Sequence, residues 1–220
     1  MKEQQAVLDF FAQTENLPLG LVVAEQMDEL REQMNNQFWK SLQQRLDMPI
    51  NKHALPWQIA TTEDKNSSDS LVGLHCSLHP EQALYLRPMM EQQNLGNNWR
   101  IYFGLMWSAT PSLEQLALPA VLALKESLQQ AGFKSNEGYL GWQWTTLHPR
   151  RKDFLLRLAQ QPEALLDDAQ AFMKTLLIEQ ATLLTAANAA LQTAPRSQAI
   201  SLTQLRSKRS RAADDQTGLS

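Results

Sequence analysis

The stretch LHCSLHPE, residues 74–81, gathers the side chains best suited to chemistry. The chain has one cysteine and four histidines. Cys76, His75 and His79 fall within five positions, and Glu81 follows. Thiolate and imidazole could ligate zinc, or form a nucleophile with its base. Local geometry argues against both. The segment reads as a strand, in which side chains alternate faces. His75, Ser77 and His79 then point one way, and Cys76 and Leu78 the other. His75 and His79 lie about 13 Å apart along a straight strand at ~3.3 Å per residue, too far to share one ion. No second ligand cluster completes a zinc set. Cys76 is expected to be a small buried apolar residue, and HPEQ (79–82), with Pro80 second, a type I turn.

Carboxylates flank this segment: Asp64, Asp69, Glu81 and Glu91. Asp and Glu on neighbouring strands can hold Mg²⁺, with a lysine nearby to assist an attacking water. Asp69 and Glu91-Gln92-Gln93 offer an Asp and an E-x-Q, with glutamine where the lysine would stand. The plainer reading is solvated turn carboxylates. Six tryptophans could stack bases in a basic groove. Their alternation within apolar strands favours core packing instead. Arg150, Arg151 and Lys152 of HPRRK, with Arg206, Lys208, Arg209 and Arg211 of the tail, are the candidate phosphate contacts.

The elements that must position these groups can be read from periodicity. Residues 3–13 form a short helix ended by NLPLG (16–20). From 21 to 47, Met27, Leu30, Met34, Phe38, Leu42 and Leu46 recur at threes and fours, the core stripe of an amphipathic helix. Strands follow at 57–62, 71–78, 83–87 and 99–107, the last with Gly104 at a bulge or close backbone approach. Residues 63–70 and 92–98 read as polar turns. Ser112 can cap a helix that Pro119 divides and Gly132 stops. YLGWQWT (139–145) is another strand. A helix from Asp153 precedes one long helix after Pro162, about 45 Å if continuous. Its alanine-rich second half is expected to extend away or dock on a partner.

This order predicts a single α+β domain over 1–192, a small, mostly antiparallel sheet of four to five strands flanked by helices, with a long C-terminal helix. The helical N-terminal part covers 3–47, the sheet 57–145 and the C-terminal helices 153–192. Residues 193–220 are expected to be a disordered basic tail. At 220 residues the chain fits one domain with appendages, and 43% apolar composition is enough for an ordinary core and too much for a disordered chain. The net charge is −3. Residues 196–220 carry +3 and the remainder −6, so the globular part lacks the positive field of a strong nucleic-acid binder. No apolar run reaches the ~20 residues of a bilayer span. With a start unlike a signal peptide and a lone cysteine, this points to the cytoplasm.

FWKSLQQRL (38–46), RIYFGLMW (100–107), a helix ending in AGF (131–133) and GYLGWQW (138–144) are similar in order to bacterial proteins of the PD-(D/E)XK nuclease-like superfamily, over about residues 25–185. The resemblance implies a central sheet flanked by helices and, in active members, Mg²⁺-dependent phosphodiester cleavage. Its motif falls on Asp69, Glu91 and, in the lysine position, Gln93. Without that lysine, the resemblance implies a degenerate member that binds no cofactor and acts through a protein partner or a nucleic-acid-bound complex, as in phage defence or mobile-element biology. Homo-oligomerisation through the C-terminal helix is an expectation of the same reading. The alternatives are an active Mg²⁺-dependent nuclease and an acidic immunity or inhibitor protein that masks a basic effector.

Overall fold

A computed structural model describes residues 2–52, 57–61, 72–78, 85–93 and 99–193. Helices α1 (Lys2–Phe11) and α2 (Leu17–Lys52) lead into strands β1 (Trp57–Thr61), β2 (Val72–Leu78), β3 (Leu86–Gln93) and β4 (Arg100–Trp107). Helices α3 (Leu113–Leu116) and α4 (Pro119–Gln130), strands β5 (Lys134–Asn136) and β6 (Tyr139–Trp144), and helices α5 (Lys152–Gln160) and α6 (Pro162–Lys174) follow. A π-helical turn (Thr175–Glu179) leads into α7 (Ala181–Thr193). The strands form one antiparallel sheet in the order β1-β2-β3-β4-β6-β5. The α+β class holds, with six strands rather than four or five. The additional strand is β5, three polar residues joined to β6 by a turn in which the Asn136 side chain accepts from the N–H groups of Gly138 and Tyr139. Its length leaves no alternation to read.

One sheet face packs under the helices and holds the main core. Phe38, Leu42 and Leu46 of α2 meet Val72, Leu74 and Cys76 of β2 and Ile101, Phe103 and Leu105 of β4 within it. The apolar stripe of α2 is core only in its second half. Leu30 is exposed and Met27 half-buried, because α2 runs beyond the sheet at its N-terminal end. The helix is also longer than its stripe, 36 residues or about 54 Å. Pro18 and Gly20 do not interrupt it. Proline in the first turn needs no N–H partner, and the break falls at residues 12–16.

Strand β3 differs most from its sequence reading. It runs over 86–93 rather than 83–87, and the expected turn at 92–98 begins two residues inside it. Pro88 suggests a strand end, but the β2 ladder stops at His75–Met89. A missing N–H at Pro88 costs that ladder nothing. The expected turn at HPEQ lies outside the described residues. Gly104 matches its reading. A Cβ there would sit 2.2 Å from the Gly141 carbonyl oxygen, and the β4–β6 register shifts between Leu105 and Met106.

The turn chemistry around α3 and α4 also holds. Ser112 and Gln115 form a reciprocal capping box, Pro119 opens α4, and Gly132 takes a left-handed φ of 84° beyond its end. The stretch after Pro162 is long and helical but is not one continuous α-helix, since the π turn divides it. Its second half does not extend away. Leu184, Ala187 and Leu191 are buried in the core, and Asn188 pairs with β3 backbone. The exposed side of α7 carries Thr182, Thr185, Ala186, Ala189 and Gln192, which offer little apolar anchorage. The C-terminal helix therefore docks on its own domain.

Candidate functional site

The second face of the sheet carries a separate cluster. Met89 and Met106 are buried there with Tyr139, and Tyr102 and Trp142 pack against them. Strand alternation places Met89, Glu91 and Gln93 of β3 on this face, and register sets Tyr102 opposite Glu91. His75 arrives from β2, where it pairs with Met89. Tyr139 reaches the face at the irregular start of β6.

Glu91 is the centre of the cluster and is 0% exposed. Its Oε2 accepts from the hydroxyl of Tyr102 and, at 3.3 Å, from that of Tyr139. The two hydroxyls lie 3.2 Å apart. His75, 2% exposed, holds Nδ1 3.9 Å from Glu91 Oε1. That separation allows charge attraction to a protonated imidazole and is too long for a hydrogen bond. A buried carboxylate is tolerable when donors replace its water, and two phenols do so here. The arrangement sets one carboxyl group against two phenol hydroxyls, with an imidazole close by.

An aromatic and cationic rim borders this group. Arg100 lies 4.4 Å from the Trp144 ring centroid, within cation–π range. Trp142 and Trp144 meet edge to face at 5.6 Å, and Tyr102 meets Trp144 at 5.4 Å. Both tryptophans are half-buried, whereas Trp39, Trp57, Trp99 and Trp107 are core residues as expected. Burial holds the Arg87 guanidinium below its ordinary pKa, partly offset by Cys76.

The residues singled out by sequence divide sharply. Glu91 lies inside the cluster and is not a solvated turn carboxylate. Gln93 is half-buried at the end of β3, paired with Arg100. Asp69, with Asp64, His79 and Glu81, lies outside the described residues. Cys76 faces the main core, away from His75, and burial pushes its thiol pKa up to about 12. A thiol so disfavoured as thiolate is a poor nucleophile. Arg150 is engaged, donating to Asp28 at 2.8 Å and lying 5.1 Å from the Trp99 ring. Arg151 and Lys152 are exposed at the start of α5. Arg206, Lys208, Arg209 and Arg211 lie outside the described residues.

Tyr102 and Tyr139 were missed by sequence reasoning. Each sits in an aromatic strand with nothing local to mark it, and the link to Glu91 appears only through register. Among the described residues, no three His, Cys, Asp or Glu side chains are grouped to hold a metal ion. Glu91, the described carboxylate of the Asp69/Glu91 set, is turned to hydroxyl donors, a use that competes with metal ligation. No helix among the described residues is long and apolar enough to cross a membrane. No family model, curated protein or solved structure matches this chain.

Proposed function

We propose that this is a non-catalytic interaction protein, acting through association with a protein partner or a nucleic-acid-bound complex. The observation that carries this reading is the use made of Glu91. Its carboxylate is fully buried and accepts from two tyrosine hydroxyls. A catalytic carboxylate must reach substrate, water or metal, whereas this one ties β3 to β4 and β6. Glutamine at 93, where the nuclease resemblance needs lysine, supports the same reading. The test is incubation of the purified protein with single- and double-stranded DNA and RNA in Mg²⁺ or Mn²⁺. All substrates are expected to remain intact. Metal-dependent cleavage that disappears in Glu91→Gln, with the fold retained by circular dichroism, would overturn the proposal in favour of an active nuclease.

A further inference from the structure

From Gln4 to Met34 no side chain is buried, and Asn35 is the first that is. Helix α1 and the first half of α2 thus form an arm outside the core. The arm is nevertheless apolar. Val7, Leu8, Phe10, Leu17, Leu19, Leu21, Val22 and Val23 are each 43–63% exposed. The two helices approach closely at the tip, where a Cβ on Gly20 would lie 2.9 Å from Phe11 Cδ1. Residues 17–24, LPLGLVVA, are apolar on every side of the helix. A helix apolar all round is one that something surrounds.

We propose that this tip is the contact between two copies of the chain. Eight large side chains about half exposed present on the order of 700 Å², above the largest apolar patch of a typical monomer and close to what one partner gives a standard interface. The centre carries no charge between Asn16 and Ala24. A two-fold contact brings the same patch together from both sides, so an uncharged centre is self-complementary. Acidic residues form the border, namely Asp9, Glu15, Glu25, Glu29 and Glu32, while Asp28 is paired with Arg31 and Arg150. Apolar contact drives association while the borders repel, and salt screens that repulsion. The dimer therefore tightens as salt rises. A basic partner held by opposite charge would behave in the opposite sense.

This inference rests on the reading of the protein as one that acts by association, and names a second copy as one partner. Sedimentation velocity on the full chain, through a micromolar concentration series at low and high salt, tests it. A monomer–dimer equilibrium that strengthens severalfold with salt is expected. The double variant Leu21→Glu/Val22→Glu, at exposed helical positions the core does not use, should weaken the dimer by on the order of 100-fold. Leu113→Glu, at an apolar residue 86% exposed on α3, should leave it unchanged. A monomer at every concentration overturns the inference, as does a dimer that survives the double variant or dissociates as salt rises. A monomer that cleaves no nucleic acid removes this inference alone. A dimer that cleaves through Glu91 removes the non-catalytic reading alone.

Discussion

Glu91 and Cys76 show how burial decides what a reactive side chain does. The Glu91 carboxyl group is held by Tyr102 and Tyr139, so removing one hydroxyl costs a buried hydrogen bond. Tyr102→Phe is expected to destabilise the fold by about 1–3 kcal/mol, read from urea unfolding. Cys76 makes a prediction with a definite sign. Its pKa is raised from 9.0 to about 12 in the folded chain by burial. The unfolded thiol ionises first, so the folded state binds more protons between those values. The neutral thiol's stabilising effect is complete below pH 9 and is lost as pH rises toward about 12. Native-state alkylation near neutral pH should be slow and accelerate sharply in urea, while Cys76→Ala should flatten the loss of stability above pH 9. Fast alkylation of the folded protein would contradict the burial of this thiol.

At the scale of elements, α7 packs into the core through Leu184, Ala187 and Leu191 and is hydrogen-bonded to the sheet through Asn188. Asn188 Oδ1 accepts from the Tyr85 and Leu86 N–H groups at 3.0 Å each, and its Nδ2 donates to the Leu86 carbonyl at 3.1 Å. Asn188→Leu removes this bridge and leaves β3 backbone groups unpaired, at an expected cost of about 2–4 kcal/mol in chemical denaturation. The β4–β6 pairing makes a stronger demand. Gly104→Ala drives a methyl against the Gly141 carbonyl, which backbone must relieve. It is expected to lower stability by about 3 kcal/mol or more, or to prevent folding. Punctuation was legible here because it is local. Ser112, Pro119 and Gly132 act on the turn next to them, so their residue types sufficed. The π turn at 175–179 and the docking of α7 were not legible, since alanine-rich periodicity is the same whether a helix meets its own sheet or a partner.

At the scale of the molecule, the described residues fall into two parts of unequal burial. The second half of α2 is core, and the first half, with α1, has no buried side chain from Gln4 to Met34 and meets the rest of the chain through the Arg150–Asp28 pair and Met34. Local opening follows burial. Hydrogen exchange at low protein concentration should therefore be fast through residues 4–33 and slow through 35–46, along one continuous helix. Equal protection along α2 would show that the arm is covered even in the monomer. The stripe from Met27 to Leu46 has one uninterrupted period, and only the extent of the sheet beneath it determines where core ends and arm begins.

By itself the sequence determined the α+β class, the helix faces, the capping residues and the separation of Cys76 from His75. Each of these follows from a period or a steric preference within a few neighbouring residues. The tertiary structure alone decided that Glu91 meets Tyr102, Tyr139 and His75, that α7 covers its own core, and that α1 with half of α2 stands clear. Those outcomes depend on strand register and on which surfaces find one another. Both are properties of residues far apart in the chain, brought together by the burial of the core as a whole.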